Sequence, residues 1–172
     1  EDEVIALPPG DPRAGTPAAD SAGETPALPF SRMTRGEGTV VAVVSNGVDS
    51  RHPALRDHIV EEACFSTTDK KLGTESMCHD GAPRETGPFS AENSCYMVDC
   101  VVGTHLAGMV TGDYSFARDS QLIAVQVASR GWGLKWCGLP SLGCTVMFLS
   151  DTLAGLNHVA DLAERLPLVA VT

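Results

Sequence analysis

The sequence is poor in basic residues. Lys and Arg number 12 against 22 Asp and Glu among 172 residues, and the formal net charge is −10. Nucleic-acid binding needs clustered Lys and Arg, so we expect no nucleic-acid partner. The same imbalance argues weakly against an anionic membrane surface as partner. A run of about 18 apolar residues is also missing, so we expect no membrane-spanning helix.

Signals for processing and for metal binding are missing as well. The first residues, Glu1-Asp2-Glu3, are acidic where a signal peptide is basic, although a secreted chain looks the same once its signal has been removed. No C-x-x-C pair occurs, and His79 and His105 lack the spacing of zinc ligands. No Asp-rich loop indicates a calcium site. We therefore expect neither a metal nor a cofactor.

The six cysteines are the first positive signal. Their even number and their grouping as neighbours along the chain favour a disulfide framework in an oxidising compartment. We favour local pairing, which would join Cys64 to Cys78, Cys95 to Cys100 and Cys137 to Cys144. Two alternatives stay open: six buried free thiols in a cytosolic protein and, less favoured, a zinc site.

Composition divides the chain near residue 37. Residues 1–37 hold more than half of the prolines, many small residues and no hydrophobic periodicity, which is typical of a linker or an extended arm. Residues 38–172 have the patterning of a folded domain. Strands are predicted at 39–44, 59–66, 121–127 and 168–172. The first is a β-branched run of the kind that is buried on both faces of a parallel sheet, and we expect the last to be buried too.

Two helices are predicted between these strands. Residues 103–112 place Leu106, Met109 and Val110 on one face. Residues 150–166 form the clearer helix, which Ser150 or Asp151 can cap. Its apolar positions repeat at helical intervals and are Leu153, Leu156, Val159, Ala160 and Ala163.

The remaining segments are polar. A short helix is expected within residues 49–58, and residues 67–99 and 129–149 are expected to be long surface excursions that the cysteines restrain. Alternation of strands and helices along 38–172 predicts an α/β domain with a parallel sheet.

Three stretches together resemble a known family. "VVAVVSNGVDSRHPAL", "GTHLAGMVTG" and the segment from "SQLIAVQV" to "LVAVT" are similar, in order, to the N-terminal half of the subtilisin-like serine proteases. Cys64-Phe65-Ser66 and Cys100 match places where the cysteine-containing, secreted bacterial branch has the same residues. The resemblance covers about residues 38–172. It implies the N-terminal part of a subtilisin-like three-layer fold; the alternative is a generic doubly wound domain with a chance Gly-Thr-His.

The catalytic positions that this resemblance implies are altered. The family uses Asp, His and Ser in that chain order. Its Asp position is Ser45 here, and its His position is Val102. We expect the Val102 side chain to fill the former base site. The resemblance makes Gly103, Thr104 and His105 structural residues at the helix start. The motifs of the nucleophilic Ser and of the oxyanion Asn do not occur in the 172 residues.

Nearby residues offer no replacement for the triad. Asp49 lies past the turn after Ser45, and Asp99 lies behind Cys100; both are interpreted as surface acids. Ser141 lacks the strand–turn–helix context of a nucleophile and is interpreted as a loop residue. His52 is expected to be structural or exposed, and the other histidines are expected at the surface: His58, His79 and His158.

The resemblance therefore predicts a catalytically inactive subtilisin-like domain, secreted or extracytoplasmic, with a binding, structural or assembly role. Loss of triad members costs on the order of 10⁴ to 10⁶ in turnover. Half a parallel sheet leaves an open edge, so we expect a C-terminal part or another chain to complete it, and a peptide or protein ligand is possible. The alternatives are the N-terminal portion of a secreted subtilisin-like endopeptidase and a hydrolase, including a metal-dependent one, with unrecognised chemistry.

Overall fold

The β-branched run near residue 40 becomes an interior strand of the main sheet. The structure is a computed structural model that describes residues 35–93, 101–112, 115, 117–138 and 143–172. The predicted arm at residues 1–37 therefore lies almost wholly outside the described residues. The elements, in chain order, are β1 Val40–Ser45, β2 Ile59–Phe65, β3 Thr74–Ser76, a 3₁₀ turn His79–Gly81, β4 Arg84–Thr86, α1 Val102–Thr111, β5 Gln121–Gln126, β6 Ala128–Trp132, α2 Leu134–Cys137, β7 Gly143–Met147, α3 Leu149–Ala163 and β8 Leu168–Val171.

The main sheet has five strands in the order β4-β2-β5-β1-β8. Strands β2, β5, β1 and β8 run parallel to their neighbours, and only β4 pairs antiparallel, at one edge. β1 and β5 pair without a register shift from Val40, opposite Gln121, to Ser45, opposite Gln126. The prediction of an α/β domain with a mostly parallel sheet is confirmed.

Helices cover both faces of this sheet. Alternate residues of a strand point to opposite faces. Val40 belongs to a core cluster with Leu162 of α3, whereas Val41 belongs to a second cluster with Ala107 of α1. The two helices therefore pack on opposite sides of β1, which explains why the run at 39–44 carries apolar residues at consecutive positions.

Helix α3 turns a different face to the sheet than its leucines predict. Leu153 and Leu156 are 50% and 39% exposed. A Cβ built on Gly155 would lie 2.6 Å from Val127 Cγ1 and 3.1 Å from Val125 Cγ1, so the helix lies closest to the sheet at the glycine. Because α3 is closest to the sheet at Gly155, its buried face does not include these two leucines. The buried residues are Asp151, Gly155, Val159 and Leu162. Ala160 and Ala163, also predicted on the buried face, are exposed.

Three local helix predictions are wrong for identifiable reasons. Neither Ser150 nor Asp151 caps α3, which begins after Phe148 without a side-chain cap. Met109 is 60% exposed because α1 buries its small residues against β1. Residues 49–58 form hydrogen-bonded turns rather than a helix. Pro53 disfavours helical geometry for the residue before it.

The two polar excursions contain a second sheet that the sequence did not predict. Strand β6 pairs antiparallel with β3 on one side and with β7 on the other. β4 also falls within the first excursion. These strands are three to five residues long and lack a clear apolar alternation, so their pairing depends on each other rather than on local pattern.

Two disulfides restrain the excursions. The structure joins Cys64 to Cys78 and Cys137 to Cys144, with Cα atoms 5.7 Å and 5.5 Å apart. Both match the expected local pairing. Cys95 and Cys100, the third expected pair, lie outside the described residues. Disulfides persist in oxidising compartments, which agrees with an extracellular setting.

Strand β8 is more exposed than its sequence predicts. Among the described strands it pairs with β1 alone, and Val171 is 47% exposed. A strand at the edge of a sheet lacks one neighbour, so apolar side chains there can stay accessible.

Within the described residues, no helix combines the length and the apolar character that crossing a bilayer requires.

The glycine contact of α3 gives a paired prediction. We expect Gly155→Ala to lower the free energy of unfolding by about 1–3 kcal/mol, because the methyl group must push α3 away from Val127. Gly108→Ala in α1 is the matched control, since nothing lies within 4 Å of a Cβ built there. Helix propensity should make that variant as stable as the parent or up to about 1 kcal/mol more stable. Urea unfolding followed by circular dichroism measures both, and equal effects would contradict the packing described.

Candidate functional site

The end of β1 contacts the start of α1. Ser45 lies at the first of these places and Val102 at the second, and the resemblance puts the family's catalytic Asp and His at these two residues. Asn46 follows Ser45, the last residue of β1, and its Oδ1 accepts a hydrogen bond from Gly103 N–H at 3.1 Å. Asn46 O accepts a second one from Asn93 Nδ2 at 2.5 Å. Asn46 therefore ties the strand end to the first turn of the helix and to the loop at residue 93.

Gly103 lets the helix approach this closely. A Cβ built on it would overlap Gly47 O and Ser45 Oγ. Gly47 itself has φ 106°, a backbone conformation that favours glycine. Two glycines far apart in the sequence thus permit one contact, which places Ser45 against the residue that follows Val102.

Thr104 makes a second connection between the same segments. Its Oγ1 accepts a hydrogen bond from Asp49 N–H at 2.9 Å. The Asp49 carboxylate is exposed and accepts from Arg51 N–H at 3.1 Å, within its own turn. Gly103 and Thr104 therefore both hold the start of α1 against the segment that follows β1. The side chain of His105 is exposed.

The described residues at this contact offer no acid–base pair. Ser45 is 3% exposed, and its Oγ accepts from Gly47 N–H at 3.3 Å. Among the described residues, no carboxylate or imidazole is hydrogen-bonded to Ser45 Oγ. The expectation that Val102 fills a former base site stays a prediction that rests on the resemblance. The Val102 side chain is 48% exposed. As the first residue of α1, it projects from the helix start while Gly103 makes the close contact. A hydroxyl without an adjacent base is a weak nucleophile.

The histidines lie apart from this site. His52 is exposed and its Nδ1 accepts from Ala54 N–H, in agreement with a loop role. His79 is exposed and lies 3.1 Å from the Glu85 carboxylate. His58 is only half-exposed, because its Nδ1 donates to Ser120 O at 3.0 Å and so joins the 49–58 turns to the start of β5.

His158, expected at the surface, is half-buried. Its ring lies 5.7 Å from the Phe65 ring, between α3 and the sheet. Burial lowers the pKa of His158 below its usual 6.5, against the smaller opposing effects of Glu61 and Asp161, while Arg84 and Arg165 lower it further. The expectation was wrong because the helix face that meets the sheet differs from the one its leucines indicate.

Glu62 is a buried carboxylate that the sequence analysis did not single out. It is 7% exposed and accepts from Ser50 Oγ at 2.6 Å, from Phe89 N–H at 3.0 Å and from Ala91 N–H at 3.3 Å. These contacts hold the loop at 87–91 against β2, and Ala91 O in turn accepts from Val48 N–H. The signal for it was an acidic residue at an inward position of a strand.

Asp99 and Ser141 lie outside the described residues. In the described ranges, no group of three or more His, Cys, Asp or Glu side chains is placed to hold a metal ion.

Two comparisons with known proteins were negative. A scan against models of protein families finds no match for this chain. A search of curated proteins finds no match either. The resemblance to the subtilisin-like proteases therefore stays a prediction that rests on its motifs.

The contact at Gly103 gives a second prediction. We expect Gly103→Ala to lower the free energy of unfolding by about 3 kcal/mol or more, because the methyl group meets backbone rather than a movable side chain. Gly108→Ala, in the same helix, is again the control. Urea unfolding measures the effect, and a Gly103→Ala protein as stable as the control would contradict the close contact of β1 and α1.

The pKa of His158 gives a third prediction. A lowered folded-state pKa means that the unfolded chain binds the proton more tightly. The resulting contribution to stability is therefore present above 6.5 and is lost as the pH falls from 6.5 through the folded-state pKa. His158→Gln should flatten this part of the stability–pH curve. Urea unfolding midpoints of parent and variant across this range measure the difference, and parallel curves would contradict the assignment.

Proposed function

We propose that this chain is a subtilisin-like domain without peptidase activity of its own, which acts in binding or assembly. The supporting observation is that Ser45 lies against the start of α1, next to Val102. These are the positions where the resemblance puts Asp and His. An Asp and a His at these positions would need the two backbone segments to be in contact, and they are. The side chains of Ser45 and Val102, however, cannot act as a charged acid or as a base.

Energetics favour inactivity. The family's Asp holds the imidazole in its productive orientation and stabilises its charged form, and the imidazole takes the serine proton. Ser45 carries no charge, and Val102 can neither accept nor donate a proton. Loss of such groups costs on the order of 10⁴ to 10⁶ in turnover, which leaves hydrolysis near background.

A binding role is supported by apolar side chains that have no cover within the described residues. Leu149 at the start of α3 is 74% exposed, and Leu153 and Leu156 follow along the same side of the helix. Val171 is exposed on the edge strand β8. Contiguous exposed apolar side chains mark interaction surfaces more often than singly scattered ones do. We propose that another chain or a C-terminal part of this protein covers them.

Secretion follows from the same proposal. The two disulfides suit an oxidising compartment, and the secreted bacterial branch of the family carries cysteines at corresponding places. A peptide or protein ligand fits such a setting.

Restoring the altered positions tests the proposal. We expect Ser45→Asp combined with Val102→His to produce serine-peptidase activity in a complex whose partner supplies the nucleophile, because these changes reinstate the charged orienter and the base. The double variant Ser45→Asn with Val102→Gln is the matched control, since it has similar volumes but no charge and no base. We expect its rate to be lower by about 10³-fold or more, measured with a peptide substrate.

Two measurements on the unaltered protein test its inactivity and its need for a partner. A serine-directed fluorophosphonate that labels the purified complex would contradict inactivity and favour the N-terminal portion of a secreted endopeptidase. Light scattering and intact mass give the number of chains, and a stable monomer of these residues alone would contradict the need for a partner. No gain of activity in the Asp–His variant, in a complex that contains the nucleophile, would weaken the family assignment.

A further inference from the structure

A cavity of about 380 Å³ lies between α3 and the edge formed by β2 and β4, away from the β1–α1 contact. Phe65, Pro83 and Ala154 form its apolar walls. Asp151 and His158 reach it from α3, about two helical turns apart on the same side. Its size is within the range of small-molecule sites, so a ligand with a short apolar part fits it.

Asp151 has one carboxylate oxygen without a partner. The residue is 7% exposed, and its Oδ1 accepts from Thr67 Oγ1 at 2.8 Å. Its Oδ2 is buried and has no hydrogen-bond partner in the described part of the chain. Leaving a buried carboxylate oxygen unpaired is costly. A carboxylate can only accept hydrogen bonds, so the group that completes it must be a donor.

The charge around the cavity favours a cationic donor. Among the described residues, two carboxylates line it, those of Asp151 and Asp161, against one permanently charged cation, that of Arg84. The Arg84 guanidinium lies over the Phe65 ring, 5.4 Å from its centroid. His158 adds no positive charge near neutral pH, because burial lowers its pKa. A charge-assisted hydrogen bond to a carboxylate is stronger than a neutral one.

His158 adds a second unpaired polar atom. Its Nε2 is buried and has no hydrogen-bond partner among the described residues. Since a neutral imidazole nitrogen either donates or accepts according to the tautomer, it can contact a polar ligand in addition to Asp151.

We propose that this cavity binds a primary ammonium group on a short aliphatic chain, with an ammonium N–H donated to Asp151 Oδ2 and the chain against Phe65 and Ala154. A free amine and a lysine side chain share this chemistry. The site is independent of the β1–α1 contact and of the proposed family, and its failure would leave both unaffected.

Calorimetric titration of the full chain at about pH 7.5 tests the site with three probes of equal length. We expect saturable binding of n-butylamine, binding of n-butanol weaker by about tenfold or more, and no binding of butyrate. Nα-acetyl-lysine N-methylamide distinguishes the sources: binding as tight as that of n-butylamine indicates a lysine side chain, and weaker binding indicates a free amine. Absence of n-butylamine binding, or preference for butyrate, would overturn the proposal.

Variants locate the bound amine. We expect Asp151→Asn to weaken n-butylamine binding by about tenfold or more, because the charge that pairs with the ammonium is lost. Asp57→Asn, the same change at an exposed position outside the cavity, should alter it by less than about twofold. Arg84→Gln should leave binding unchanged or tighten it, whereas an anion site would lose affinity.

Ala154→Leu should also abolish n-butylamine binding, and it leaves the Asp151 carboxylate in place. The larger side chain occupies the cavity beside Asp151, so n-butylamine binding should be lost while the fold, checked by circular dichroism, is kept. Unchanged binding in this variant, or in a folded Asp151→Asn protein, would place the amine elsewhere and overturn the proposal.

Discussion

The hydrogen bond from Gly103 N–H to Asn46 Oδ1 joins the end of the interior strand β1 to the first turn of α1. It forms because Gly103 has no side chain where Gly47 O and Ser45 Oγ lie. The loop at residue 93 is tied to the same point through Asn46 O. The close approach of Gly103 to Ser45 and Gly47 fixes the position of α1 on its face of the sheet. It also brings together the two stretches that resemble catalytic motifs.

A second close approach organises the other face. Gly155 lets α3 lie against β5 and the residue after it, and this sets which side chains of the helix are covered. The leucines at 153 and 156 are left accessible as a consequence. Because this face of α3 is the buried one, Asp151 and His158 point toward the sheet and line the cavity beside Phe65. One packing contact therefore leads both to the exposed leucines and to the polar cavity.

The disulfides hold the segments that have the least core of their own. One joins β2 to Cys78, which lies between β3 and the 3₁₀ turn, and the other closes the segment between α2 and β7. Short strands with few apolar residues cannot bury enough surface to be stable singly. Crosslinks limit the unfolded states of these segments, and the antiparallel sheet can then form beside the main one.

Sequence pattern alone determined the strongly apolar elements: the β-branched run of β1, the strand at 121–126, the helices α1 and α3, the mostly parallel sheet and the local pairing of four cysteines. It also carries the motifs on which the resemblance rests, because their spacing is visible without coordinates. Tertiary structure alone decided the antiparallel sheet, the burial of Glu62, the exposure of Val102 and the inward face of α3. Those features depend on which surfaces meet, and contacts such as Gly155 with Val127 join residues whose proximity no local periodicity encodes.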